Sequence, residues 1–469
     1  MTDATVTARP AAPAGQAAAM DPRTRGLLEA PVVPVLLRLA APNMLVMLVQ
    51  ASTGVIETYF VGKLGTDALA GVALVFPGLM LMQMVSAGAM GGGISSAIAR
   101  ALGGGRRADA DAFVAHALVI SLALGAFLSL AVIAAGPWLY RTLGGRGAAL
   151  DAALVYSNVV FGGAVLLWVF NTLANVLRGT GNMLVPAAVT CVGALILVPL
   201  SPALIFGWGP FPRLGVAGGG AAIIAYYAAG TAALVGYLWS GRSVLRPQLR
   251  GRLRWPMFRE ILQVGAVAAL TSVLTNLTIG ITTSLVGVHG PAAIAGFGVG
   301  SRLEYLLVPL AFGLGAPLVA LVGTNLGAGR RERALRIAWI GAAVAFVLTE
   351  SIGLVAAAFP AAWLSLFDRD PAMLAAGSAY LRAVGPFYGF FGLGMALYFA
   401  SQGAGRLLWP LVAGIVRLVL AVGGGWLMLQ WSGELAGVFL ALGAALAAYG
   451  LIIAGAVKAG VWFPRPKSG

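Results

Sequence analysis

A set of glycine-marked segments recurs along this chain at a spacing of roughly 225 residues, and that recurrence restricts the fold more than any other feature. Between Phe60 and Ala110 stand Val61-Gly62, Gly65, Ala70-Gly71 and Leu102-Gly103-Gly104-Gly105-Arg106-Arg107. Between Leu285 and Ala334 stand Val286-Gly287, Gly290, Ala295-Gly296 and Leu326-Gly327-Ala328-Gly329-Arg330-Arg331. Further on, Arg178-Gly179-Thr180-Gly181 with Pro186 matches Gln402-Gly403-Ala404-Gly405 with Pro410. The same marks in the same order imply one unit duplicated and fused.

Hydropathy says what the unit is. Hydrophobic residues make up 60% of the chain and charged residues 10%, with a mean hydropathy of +0.93. A soluble domain carries about 25% charged residues, so this is a polytopic membrane protein. The apolar residues gather into about twelve stretches, most long enough to cross a bilayer, where a helix satisfies its own backbone polar groups. The expected fold is all-α, with twelve transmembrane helices in two six-helix bundles. Six is even, so both halves begin and end on one side, related by a pseudo-twofold axis along the membrane normal.

The net charge of +15 is distributed by side. With the N-terminus inside, the interior loops hold Arg106 and Arg107, six arginines from Arg242 to Arg259, and Arg330, Arg331, Arg333 and Arg336. The outer loops hold Lys63, Arg141, Arg146, Arg213 and Arg369. That asymmetry is the positive-inside pattern. It predicts a multi-pass protein of a bacterial-type inner membrane, with both termini cytoplasmic. The excess of base is expected to meet anionic membrane lipids and not nucleic acid.

The expected organisation follows. Residues 1–29, rich in Ala, Pro and polar side chains, form a disordered cytoplasmic tail. Residues 30–240 form the first lobe, and 241–258, with Pro247 and Pro256, a basic cytoplasmic linker. Residues 259–460 form the second lobe and 461–469 a second tail. Cys191 is the single cysteine, which leaves no intrachain disulfide and no cysteine-based metal cluster.

Ionisable groups inside spans are costly, and each is a functional hypothesis. Glu57 lies toward the outer end of the first span, and its counterpart in the repeat is Thr282. Proton coupling needs a group that is neutral in one state and charged in another, which a carboxyl here supplies. The competing expectation is a glutamate that reaches the outer surface or pairs with Lys63. The second lobe carries Arg302, Glu304, Arg382 and Arg417 as buried charges, and equal depth predicts a Glu304–Arg417 bridge, either static or acting as a proton switch. Neutral polar residues and one aromatic supply the expected cavity lining: Tyr59, Gln83, Asn158, Asn171, Asn175, Asn276 and Thr282. Asn171 and Asn175, four apart, share a helix face.

These marks resemble the multidrug and toxic compound extrusion (MATE) family over nearly all of the chain after the tail. The strongest pieces are Glu57-Thr58-Tyr59-Phe60-Val61-Gly62-Lys63-Leu64-Gly65, Arg178-Gly179-Thr180-Gly181-Asn182 and Val322-Gly323-Thr324-Asn325-Leu326-Gly327-Ala328-Gly329. The resemblance implies a secondary active exporter of small organic solutes, often cationic and amphipathic. It implies exchange against inward-moving H⁺ or Na⁺, by rocking two lobes about a central cavity. The family commonly has Asp where this chain has Glu57, so the chain looks like the type with a single acid on its first helix. Where some members carry a fifth-helix Asn and Asp, this chain has Leu197 and Ser201, and a sixth-helix Thr matches Ile223. A multi-carboxylate sodium site is thereby weakened, and the resemblance implies a proton in preference to sodium.

No enzyme, cofactor or metal is implied. His116 and His289 are the only histidines, and no phosphate-cradling Gly-x-x-x-x-Gly-Lys-Ser/Thr loop occurs. The alternatives are a lipid-linked saccharide flippase of a related two-lobed fold and a non-transporting membrane receptor or assembly factor.

Overall fold

The computed structural model describes residues 21–247 and 251–463. It is built of helices alone among those residues. A short helix, α1 (Pro22–Glu29), is followed by α2 (Val32–Gly62), α3 (Thr66–Gly103), α4 (Arg107–Thr142), α5 (Gly147–Gly162), α6 (Ala164–Gly179), α7 (Leu184–Phe206) and α8 (Val216–Trp239). The second half holds α9 (Trp255–Gly287), α10 (Pro291–Gly327), α11 (Arg331–Ala358), α12 (Pro371–Ala404), α13 (Leu408–Ser432) and α14 (Leu435–Lys458). Among the described residues, eleven helices are long and apolar enough to span a membrane, and α5 with α6, bent by 46° at Gly163, makes a twelfth. The expected twelve-span, two-bundle fold is what the chain adopts, with α2–α8 as one lobe and α9–α14 as the other.

Each lobe buries a core of mixed small and large apolar side chains, with Trp168, Phe113 and Phe161 fully buried in the first and Tyr388 and Phe439 in the second, and turns other long apolar side chains outward. Leu195, Leu130 and Phe127 are about 70% exposed to the protein's surroundings, as side chains meeting lipid tails would be. The first helix of each lobe leans on the other lobe: Met44 of α2 packs against Gly313 of α10, and Ile261 of α9 against Gly93 of α3.

The lobes close on each other at the face where both ends of the described chain lie. There a methyl on Gly103 would fall 1.9 Å from the Thr324 carbonyl oxygen, and one on Gly327 would fall 2.1 Å from that of Arg100. Only glycine allows α3 and α10 to approach so closely, which accounts for these marks of the repeat. Ser96 donates to the Gln402 carbonyl at 2.6 Å, and Arg100 donates to the Gly403 carbonyl at 3.0 Å and bridges Glu260 at 2.9 Å.

The tail expectation needs correction. Residues 22–29 form α1, capped by Asp21 and packed through buried Leu27 and Leu28. Asn325 and Arg330 donate to the Leu27 and Leu28 carbonyls at 3.1 and 2.8 Å, while Arg23 reaches the Tyr237 hydroxyl at 3.2 Å. The helix thus touches both lobes. The Ala- and Pro-rich composition belongs to residues 1–20, and 22–29 carry the leucines and the satisfied carbonyls that hold a helix in place. Residues 1–20 lie outside the described residues. At the other end, Trp462 is buried and donates to Ser401 at 3.2 Å, so residues 461–463 pack on the second lobe and 464–469 lie outside the described residues. The linker is pinned to α4: Asp111 accepts from the Arg246 backbone at 2.7 Å and Asp109 pairs with Arg254 at 3.1 Å. Its last residues, from Trp255, already belong to α9, and 248–250 lie outside the described residues.

Candidate functional site: an acidic crevice and an interlobe cavity

Glu57 stands on the inner-lobe side of α2, where α2 meets α7. Thr53, Ile56, Glu57 and Phe60 from α2 and Leu197, Val198 and Ser201 from α7 enclose a crevice of about 10 Å³. That is close to the ~10–15 Å³ a single water needs. Glu57 Oε1 is buried and makes no hydrogen bond of ordinary geometry among the described residues, although the Tyr156 hydroxyl stands against the carboxyl, and Ser201 Oγ is likewise unpartnered. The opposite wall is α8 and α5: a methyl on Gly219 would lie 3.6 Å from Glu57 Oε1 and 3.7 Å from the Tyr156 ring. Leu197 and Ser201, the positions that the resemblance singled out, line this same crevice. Among the described residues no three acidic, histidine or cysteine side chains gather as metal ligands.

Lys63 makes no ion pair with Glu57. Its Nζ sits 4.7 Å over the Tyr59 ring, and Tyr59 itself is exposed and lines neither this crevice nor the space between the lobes. The repeat partner Thr282 is buried with its hydroxyl unpartnered, also outside the cavity lining.

Between the lobes lies a second space, a cavity of about 210 Å³. From the first lobe α2 contributes Asn43, Met47 and Gln50, α3 contributes Gln83, Met84 and Ser95, and α6 contributes Asn175 and Arg178. From the second lobe come Phe312 and Val319 of α10 and Phe399 and Gln402 of α12. A π-helical turn at Met84–Met90 shapes the α3 wall. Such a turn disturbs the regular backbone ladder, and its carbonyls serve other helices: Asn175 donates to Ala87 at 3.2 Å and Gln402 to Gly88 at 3.3 Å. Asn171 is buried behind this wall and donates to Gln83 at 3.1 Å and Ser86 at 2.8 Å.

Of the expected lining residues, Gln83 and Asn175 reach the cavity and Asn171 supports it. Asn158 and Asn276 do not: both are exposed, and Asn276 donates to the Ser272 carbonyl one turn back at 2.9 Å. Local backbone bonding lets an amide sit outside a polar cavity. Asn43, Gln50, Arg178 and Gln402 were not singled out as lining residues. Arg178 stands three residues beyond Asn175 on the face already marked by Asn171, a signal the sequence carried.

The second-lobe charges divide. Arg417 is buried and bridges the half-buried Glu304 at 3.1 Å, as equal depth predicted. Tyr380 donates to Glu304 at 3.3 Å, and the Arg417 guanidinium lies 5.7 Å from the Phe391 and Tyr449 rings. Arg302 and Arg382 are exposed, correcting the expectation of burial. Arg302, two residues from Glu304, faces away from it and lies 5.6 Å over Phe367, because adjacent-but-one positions point in different directions on a helix.

Two six-helix lobes enclosing a shared polar cavity define a membrane transporter of the two-lobed, parallel-repeat class. The chain belongs to the MATE family: its family model, MatE, matches residues 42–203 and 268–427, one segment in each lobe. As a member of a transporter family it is not an enzyme. It is 31% identical, over 84% of its length and 87% of the relative's, to a Shewanella oneidensis protein named FAD transporter. It is 28% identical, over 90% and 94%, to a Deinococcus radiodurans protein named probable multidrug resistance protein NorM. A crystal structure of a MATE protein in the bent conformation superposes with a TM-score of 0.87 over 94% of this chain and 98% of that one, at 24% identity, which supports the fold.

Proposed function

We propose that this protein is a proton-coupled exporter of small amphipathic organic solutes, working by alternating access as its two lobes rock about the cavity between them. The observation that carries the reading is Glu57: a carboxyl with an unpartnered buried oxygen, in a water-sized crevice of the first lobe, with a threonine at the repeat-matched position. A carboxyl so placed gains a proton when dry and loses it when water or a cation reaches it. The crevice is small for an organic solute, which separates coupling from cargo. Glu57 is the only carboxyl on the wall, beside the hydroxyls of Thr53 and Ser201 and the apolar Leu197 and Val198, which favours H⁺ over a multi-carboxylate Na⁺ site. The names of the two relatives agree with an organic cargo. The close face then looks to the cytoplasm, in keeping with the arginines of its loops.

The test is flux in reconstituted vesicles under separately imposed proton and sodium gradients. Solute movement driven by the proton gradient supports the reading. Movement driven by sodium alone refutes the coupling assignment, and a folded protein idle under both gradients points to a lipid-linked cargo.

A further inference from the structure

Asn171, Asn175 and Arg178 follow one face of α6 at spacings of four and three residues. Asn175 and Arg178 line the interlobe cavity. The Arg178 Nε is buried with no hydrogen-bond partner, and Arg178 forms no ion pair with any carboxylate among the described residues. Other interior arginines are answered in place: Arg100 by Glu260 at 2.9 Å and Arg417 by Glu304 at 3.1 Å. The remaining polar lining, Asn43, Gln50, Gln83, Ser95 and Gln402, is neutral, and no lining residue carries a carboxyl. The second lobe does not balance the charge either, because the repeat partner of Arg178 is Gln402, whose Oε1 is itself unpartnered.

A cation held in a low-dielectric wall without a counter-charge is unfavourable until an anion arrives. A guanidinium presents paired donors that match phosphate and carboxylate oxygens. Across the cavity Phe312 and Phe399 meet edge to face at 5.0 Å between centroids and offer an aromatic wall beside Met47 and Met84. An organic cation in the same place meets a like charge and no carboxylate.

We infer that the interlobe cavity takes an amphipathic organic anion, an aromatic body bearing a phosphate or carboxylate, and that Arg178 is the residue that selects for the charge. This rests on the exporter reading above and replaces the cationic cargo that the family resemblance implies. The anion source is a free solute, and a lipid head group of the same chemistry is separated by the test.

Riboflavin and FMN share one ring system and differ by a phosphate. Their binding to the full chain, in nanodiscs of phosphatidylcholine, is read by flavin fluorescence anisotropy with no gradient imposed. The wild type is expected to bind FMN about tenfold or more tighter than riboflavin, the yield of one charge-assisted contact. Arg178→Gln is expected to bring the two within about twofold, with an unchanged thermal unfolding profile reporting a folded bundle; Arg178→Lys is expected to keep part of the preference. Equal affinities in the wild type, an unchanged preference in Arg178→Gln, tighter binding of ethidium than of FMN, or no binding of either flavin would each overturn the proposal. Loss of FMN binding when phosphatidylglycerol replaces part of the lipid overturns the solute assignment in favour of a head group. Because no gradient is used, failed proton coupling leaves this result standing, and intact FMN binding without gradient-driven flux counts against the exporter reading alone.

Discussion

The two lobes share a fold and differ in how they treat charge. In the first, Glu57 and Arg178 sit at the edge of water-sized or solute-sized space, and each has a buried polar atom with no partner. Their repeat-matched residues in the second lobe are the neutral Thr282 and Gln402. The second lobe has its own interior charges, but Glu304 and Arg417 meet at 3.1 Å, with Tyr380 and two aromatic rings around them. Unpartnered buried atoms occur in both copies, but in the first they include a carboxyl and a guanidinium that border empty space, whereas in the second they include the neutral Thr282 and Gln402 while Glu304 and Arg417 complete each other. An unpartnered buried group is unfavourable and is kept where a ligand or proton completes it, whereas a satisfied pair fixes packing. On the proposed reading, coupling and cargo selection fall to the first lobe and a bracing role to the second.

Both lobes must still meet, and the largest effect is expected where they do. Gly327→Leu places a side chain against the Arg100 carbonyl, where even a methyl falls at 2.1 Å. Each lobe keeps its own core, so the protein is expected to accumulate, while flux in vesicles falls by about 100-fold because the close face cannot form. Flux within twofold of wild type would mean that this face opens and closes without that contact.

Next is the brace. Glu304→Ala leaves Arg417 buried without a counter-charge, and removing one partner of such a pair costs on the order of 3 kcal/mol, less here because Glu304 is half-buried. A lower melting temperature is expected, with flux per folded molecule within about twofold. Unaltered melting together with lost flux would move a switch into the second lobe. A smaller effect belongs to Arg100 and Glu260, which span the lobes. In a double-mutant cycle with Arg100→Gln and Glu260→Gln, their coupling should be about 1 kcal/mol, read as the salt-sensitive share of molecules closed at this face. Additive effects would reduce the pair to a bystander. The smallest change is expected for Asn158→Ala and Asn276→Ala, whose side chains face away from the cavity: cargo affinity should stay within about twofold.

The duplication was legible because close helix approach demands glycine, and glycine leaves a mark at a fixed spacing: Gly103 and Gly327 are that demand seen twice. Spans were legible from hydropathy, since lipid penalises any other arrangement. The bend at Gly163 and the π-helical turn at Met84–Met90 were not, because neither breaks the apolar run. Within the site, Glu57 stood out as a lone acid and the Glu304–Arg417 pair by depth. Tyr59, Asn158 and Asn276 misled because polarity alone does not say which way a membrane helix turns. Arg178 was hidden in a glycine motif at a span's end, where an arginine reads first as a topology signal. The α1 helix was hidden by its short length and the composition around it.

The division of labour between the lobes is tested most directly by comparing two kinds of transport in one variant. Vesicles containing wild type or Glu57→Gln protein are assayed for proton-gradient-driven flux of FMN and for gradient-free exchange of labelled against unlabelled FMN. Glu57→Gln is expected to lose the driven flux while retaining exchange, since the cavity and the rocking lobes are untouched. Driven flux that persists at the wild-type rate in Glu57→Gln would contradict the assignment of coupling to the first lobe.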